Sequence, residues 1–412
     1  MSLLDQYSEV VGPAMIDHLA QLAAPLQGAR VVHVNSTRVG GGVAEILAKL
    51  VPLTRELGID AHWEVISGDQ DFFQCTKNMH NGLQGSPVNL TERLVQAYEA
   101  TTERAAGLLG RQLTDAEFVF VHDPQPARLL HFFPERRGKW VWRCHIDVSH
   151  PHRPVWKYLR GIVGRYDASV FSLAAFAQAL PCPEYIVPPS IDPLAEKNID
   201  LEDAELAAVR DRFGLDPRRP LVVQVSRFDR FKDPVGVIRA FRLARRYLPR
   251  LQLVLGGGGA SDDPEGDVVL DEVRSTAADD PDVHVLLLPP DDHRTINALQ
   301  RCADVVLQKS LREGFGLTVT EAMWKHRPVI GGNTGGIRLQ VFDHHTGYLV
   351  STPEGAALRI RHLIARPDRI AEMGQKAHNL VRDNFLITRQ LREYLTLMVA
   401  LLHASRERIE LG

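Results

Sequence analysis

From Arg30 onward, short runs rich in Val, Ile and Phe alternate with segments whose apolar residues recur at helical spacing. That alternation predicts parallel strands joined by crossover helices, an α/β chain. In the first half, residues 30–36, 61–67, 118–122, 140–146 and 168–173 are the expected strands, with amphipathic helices over 43–57 and 90–109. A second series has strands at 221–226, 251–255, 283–287, 305–308, 328–331 and 347–350, and helices that include 234–247 and 317–325. Between the series, residues 181–193 hold five prolines in thirteen positions, which excludes one regular helix and marks a domain crossing near Asp192. The expected domains are therefore 1–192 and 193–388, with a final helical stretch, 389–412, returning to the first.

Length agrees with that division, because 412 residues exceed what one hydrophobic core ordinarily serves. A hydrophobic fraction of 44% and a charged fraction of 24% are ordinary for a chain that folds throughout. The formal net charge of −3 supplies no basic field for nucleic acid or an anionic membrane, so any anion site must be local. Cys75, Cys144, Cys182 and Cys302 are scattered without metal-ligand spacing. No apolar stretch reaches the roughly 20 residues of a membrane span, and the start lacks a basic leader. A cytoplasmic protein without a membrane partner is expected.

Three segments carry candidate chemistry. Glu313-Gly-Phe-Gly-Leu-Thr-Val-Thr-Glu321 joins an expected strand to a helix. Gly314 and Gly316 let backbone approach a ligand, and helix-start amides suit phosphate. The two carboxylates suit hydroxyls at opposite ends of one ligand, such as a sugar and a ribose; the plainer alternative is acidic residues stabilising a helix start. Ser226-Arg-Phe-Asp-Arg-Phe-Lys-Asp233 follows another strand. Arg227 can fork onto phosphate oxygens while Lys232 acts as a compact charge, although an isolated loop cation is more often merely solvated. Thr37-Arg-Val-Gly-Gly-Gly-Val-Ala-Glu45 places Gly40, Gly41 and Gly42 at the first strand-to-helix turn.

A nicotinamide fingerprint fails at Gly40-x-Gly42-x-x-Glu45 and again at Gly256-x-Gly258-x-x-Ser261, and no Walker-type lysine loop occurs. Two further segments, Trp142-Arg-Cys-His-Ile-Asp147 and His122-Asp-Pro-Gln125, end strands and direct polar side chains to the same crevice, which singles out His145. Asp69-Gln-Asp71 has a metal-pair spacing that arises readily by chance among 51 acidic residues, so no metal site is assigned.

Taken in order, Ser226 to Asp233, Glu313 to Glu321 and Gly335-Gly-Ile337 resemble the retaining glycosyltransferase family that includes sucrose-phosphate synthase. The likeness implies the GT-B fold, two facing Rossmann-like doubly wound domains with an interdomain cleft. It also implies roles: Arg227 and Lys232 on a diphosphate, Glu313 and the backbone of Gly314, Phe315, Gly316 and Leu317 on the transferred sugar, and Glu321 on the ribose. Gly41 and Gly42 would approach the diphosphate from the N-terminal side, with His145 near the donor sugar and Asp147 among the residues that bind substrate or nucleotide. Many members carry Glu where Leu339 stands.

The first half narrows the family. Gly68-Asp, Phe72-Phe, Thr76-Lys and His80-Asn-Gly-Leu-Gln-Gly85, with Trp142 to Asp147 and Gly335 to Gln340, resemble the trehalose glycosyltransferring synthases, in which Leu339 is no anomaly. The resemblance implies reversible, retaining formation of trehalose from a nucleoside-diphosphate-glucose such as UDP-glucose or ADP-glucose and free glucose. A trehalose phosphorylase using phosphate, or a hexosyltransferase with another acceptor, is the alternative. No cofactor is expected beyond the donor substrate; the partners are the nucleotide-sugar and glucose or trehalose, and a homodimer is compatible with the chain.

Overall fold

A computed structural model describes residues 2–38, 42–258, 264–289 and 291–403, and in it the apolar runs form two six-stranded sheets whose neighbouring strands all run parallel. One unit extends from the N-terminus to Ser190 and resumes at Ile387; the other is Ile191–Leu386.

The first sheet contains β1 (Arg30–Asn35), β2 (Asp60–Val65), β3 (Phe118–His122), β4 (Lys139–Cys144), β5 (Ala168–Phe171) and β6 (Glu184–Ile186), in the order β2-β1-β3-β4-β5-β6. β3 is buried at every position and Trp140, Trp142 and Phe171 are wholly buried, as expected of strands covered on both faces. β6 is a strand that the sequence reading did not include, inside the proline-rich stretch. Three residues between Pro183 and Pro188 pair with β5, an edge position where a missing N–H breaks no ladder. The helices Leu3–Val11 and Pro13–Ala23 precede the first element read from the sequence.

The helix Ile387–Leu402 belongs to this unit. Arg389 donates from Nη2 to the carbonyls of Pro188 at 3.0 Å and Pro189 at 3.1 Å, and the Ser190 hydroxyl bonds Gln390 Oε1 at 2.5 Å. Tyr394, from the same helix, meets the ring of Phe120 edge-on at 5.1 Å.

The second sheet contains β7 (Leu221–Val225), β8 (Gln252–Gly257), β9 (Val283–Leu287), β10 (Val305–Gln308), β11 (Val329–Gly332) and β12 (Gly347–Val350), in the order β12-β11-β10-β7-β8-β9. The chain winds outward in one direction from β7 and in the other from β10, so the order reverses between these neighbours. In open parallel sheets ligands bind beyond the carboxyl ends of strands at such a point. In the first sheet the corresponding reversal lies between β1 and β3. Among the described residues, no helix is long and apolar enough to cross a membrane.

Candidate functional site

The turns leaving β7 and β10 are locked together by a buried glutamine. Gln224, on β7, donates to the Lys232 carbonyl at 3.0 Å and accepts from the Lys309 amide at 3.2 Å. The Leu311 amide also donates to the Phe231 carbonyl at 2.7 Å. Asp233 has a left-handed backbone, φ 49°, caps the helix Pro234–Arg245 through the Gly236 amide and pairs with the Lys309 ammonium. These contacts carry Lys232 to Glu313, where Nζ and Oε2 lie 2.7 Å apart with the side chains only 17% and 9% exposed. Ser310 Oγ donates to the same carboxylate oxygen at 3.0 Å. Arg227 takes a different position: its side chain is 61% exposed and lies 3.6 Å from Asp229. Lys232 and Glu313 are thus brought together, whereas Arg227 stands at the rim of the same loop.

Beyond Glu313 the chain runs through Gly314, Phe315 and Gly316 into the helix Leu317–Trp324. Gly316 occupies the N-cap with φ 85° and no side chain caps the helix, so the helix start keeps its partial positive charge for a ligand. Phe315 is buried against Phe385, ring centres 5.7 Å apart. The turn is held from below by Gln340, whose side-chain amide donates to the Phe315 carbonyl at 2.7 Å while its oxygen accepts from the Thr320 hydroxyl at 2.5 Å. Gly335, φ 48°, passes so close that a Cβ there would lie 1.7 Å from the Glu313 carbonyl oxygen. Leu339 is half-buried beside this clamp, and Gln340 is the polar group that contacts the turn.

Glu321 is buried one turn into the helix. Lys325, a further turn on, donates to the Glu321 carbonyl at 3.0 Å and to Asn198 Oδ1 at 3.2 Å. Burial pushes its ammonium down to about 7, opposed by the negative charge of Glu321. Gln224, Gln340 and Lys325 were not singled out from the sequence. Their signal was a polar residue inside an apolar element, which one chain shows only weakly.

In the N-terminal unit, Gly42 begins the helix Gly42–Glu56, whereas Gly41 lies outside the described residues. His145 follows β4 and is half-buried; its amide donates to Asp123 Oδ1 at 2.7 Å. Asp123 itself has φ 63°, and burial raises its carboxyl to about 6. Asp147 accepts from the Ser149 amide at 2.9 Å, shaping the loop after His145. The Asp69 and Asp71 spacing is occupied otherwise: Asp69 caps the helix Gln70–Leu83 and Asp71 pairs with Arg93 at 3.1 Å.

Two histidines join His145 across the sheet. His33 Nδ1 lies 3.0 Å from His122 Nε2, and His122 Nδ1 lies 3.0 Å from His145 Nε2. Burial lowers His33 to about 3 and drives His122 and His145 well below the ordinary imidazole value, so all three are neutral near pH 7.

Likeness to known proteins along both halves of the chain makes this two-sheet protein a glycosyltransferase of the GT-B fold. Residues 207–380 match the family model described as glycosyl transferases group 1. The fold is shared with the sucrose-phosphate synthase of Thermosynechococcus elongatus, at a TM-score of 0.71 over 92% of this chain and 100% of that one with 17% identity. Residues 33–178 match the model described as trehalose synthase, N-terminal domain. A trehalose synthase of Pyrococcus horikoshii is 44% identical over 406 residues, 97% of this chain and 96% of that protein. The chain belongs to the trehalose synthase family. More distant is a trehalose phosphorylase of Pleurotus pulmonarius, 29% identical over 86% of this chain and 55% of that longer protein.

Proposed function

We propose that the protein transfers glucose between a nucleoside-diphosphate-glucose and free glucose, forming trehalose reversibly and with retention at the transferred anomeric carbon. The observation that carries this reading is the half-enclosed Lys232 and Glu313 pair, 2.7 Å apart at the reversal point of the second sheet, beside an uncapped helix start. The site offers positive charge to a diphosphate and a carboxylate to sugar hydroxyls within one turn.

Lys232, aided by Arg227 from the rim, takes up the charge that grows on the departing diphosphate. A flexible, exposed guanidinium suits a group that closes on a ligand and is otherwise solvated. Glu313 and the backbone from Gly314 to Leu317 hold the glucose ring, and Glu321 holds the ribose. The family resemblance further assigns Gly41 and Gly42 to the diphosphate, His145 to donor-sugar hydroxyls, and Asp147 to the residues that bind substrate or nucleotide. The bond between the anomeric carbon and the diphosphate oxygen breaks as the acceptor oxygen attacks from the same face. The acceptor proton passes to the departing phosphate oxygen. Glu313 positions and does not attack, so the pair of carboxylates required by a retaining glycosidase is not invoked.

The test is to incubate the protein with trehalose and, separately, nucleoside diphosphates or inorganic phosphate, and to identify the products. Nucleotide-sugar plus glucose is expected with a diphosphate only. Glucose 1-phosphate formed from inorganic phosphate would make the protein a phosphorylase, and free glucose in buffer alone would make it a hydrolase.

A further inference from the structure

Three rings, on β1, on β3 and just past the end of β4, form one continuous chain. β1, β3 and β4 are neighbours in the sheet, with His33 paired to Phe120 and His122 to Arg143 in the register. Side chains alternate faces along a strand, so His33, Phe120, His122 and His145 share one face. His33 stacks on Phe120 with ring centres 4.9 Å apart, His122 stacks on His145 at 5.3 Å, and Tyr394 closes the inner end edge-on to His33 at 6.1 Å. The charged neighbours are Arg143, which lies buried on the same face and donates to the Val187 carbonyl at 2.7 Å, and Asp123, bonded to the His145 amide.

Proton counting restricts this chain to two states. Each link needs one N–H and one bare nitrogen, and a neutral imidazole carries a single N–H. If His122 donates through Nδ1 to His145, its Nε2 is bare and must accept from His33 Nδ1–H; His145, accepting at Nε2, then carries its proton on Nδ1. If His122 instead donates through Nε2 to His33, it must accept at Nδ1 from His145 Nε2–H, which leaves His145 Nδ1 bare. All three rings therefore carry the proton on the same-named nitrogen, and neither link can be set without the other.

We propose that His33 and His122 are positioning residues that fix the tautomer of His145, and so decide whether its remaining ring nitrogen, Nδ1, donates to or accepts from a substrate hydroxyl. This rests on the assignment of His145 to the donor sugar. A solvated histidine would sample both tautomers; here a change at His145 Nδ1 requires both link protons to cross together, with one proton exchanged at His145 Nδ1 and the opposite exchange at His33 Nε2. The imidazole is then presented to the sugar in whichever tautomer all three rings share.

Nitrogen-15 spectra of the histidine-labelled, unliganded protein at pH 7 test the chain directly. Three neutral rings sharing one tautomer are expected; opposed tautomers, or a cationic His122, overturn the proposal. Kinetics supply the second arm. His33→Phe keeps the stack on Phe120 and removes the link, and is expected to lower kcat about tenfold, the equivalent of one hydrogen bond, with donor KM within about twofold. His33→Asn replaces Nδ1 with an amide of equal reach and is expected to restore kcat. Unchanged kcat in His33→Phe reduces the chain to a structural feature and overturns the positioning role. A wild-type protein that transfers no glucose sinks the reaction assignment alone, because the spectra are read without substrate.

Discussion

At the scale of single residues, the account turns on Lys232 and the carboxylate it faces. Lys232→Ala removes the enclosed positive charge but no core packing, since the side chain is still 17% exposed. The variant should fold and turn over nucleotide-sugar more than tenfold more slowly, a loss above about 1.4 kcal/mol of transition-state stabilisation. Steady-state kinetics beside a circular dichroism spectrum check this. The histidine chain predicts a pH dependence of stability. His33, His122 and His145 have imidazoles depressed below the usual 6.5, so below that pH the unfolded chain takes up protons that the folded chain refuses. The histidine contribution to stability is full above about pH 6.5 and is lost as the pH drops. Asp123 acts oppositely: its carboxyl is raised from 3.8 to about 6, so over that window the folded chain keeps a proton the unfolded chain sheds. Between about pH 4 and pH 6 Asp123 therefore offsets part of the loss from the three histidines, and stability still falls as the pH drops. Thermal unfolding from pH 7 to pH 5 should show the melting temperature falling, with a shallower fall in His33→Phe. Lys232, Glu313 and His145 were legible as candidates because each lies in a polar segment that follows an apolar run. The links of His33 and His122 to His145 were not, because they join positions 89 and 23 residues apart through strand order alone.

At the scale of elements, the turn from Glu313 to Leu317 keeps its shape through groups outside it. Gln340→Leu would leave the Phe315 carbonyl without its 2.7 Å donor. A buried acceptor stranded this way costs about 1–3 kcal/mol, measurable by urea unfolding, and activity should fall further than stability because the turn loses its anchor. Gly335→Ala should be worse, since it combines a left-handed φ of 48° with a Cβ placed 1.7 Å from the Glu313 oxygen. The expected result is failure to accumulate folded protein. In the C-terminal helix, Arg389→Met would strand the buried carboxylate of Glu393 and free two proline carbonyls. About 3–5 kcal/mol of stability should be lost, since removing one member of a buried pair leaves the other uncompensated. Elements with long apolar runs were read from the sequence to within about two residues at most ends. The short β6 was missed because only four residues separate the prolines that flank it, too few for a period to show.

At the scale of the whole molecule, two doubly wound sheets of six strands arise from a chain of ordinary composition, and it is the strand order that places chemistry at each reversal point. The α/β class was legible in the alternation of runs, and the family in motifs spread over both halves. Strand order itself was not, because parallel strands carry no local mark of their neighbours. The central claim is that glucose moves from a nucleotide to glucose through this site. The most direct measurement supplies nucleoside-diphosphate-[1-¹³C]glucose and unlabelled glucose and follows the labelled carbon by NMR. The account predicts that the signal moves to the α-anomeric position of trehalose as free nucleoside diphosphate appears, and that Lys232→Ala slows both together. Label emerging only in free glucose, or remaining on the nucleotide while the protein is folded, would contradict it.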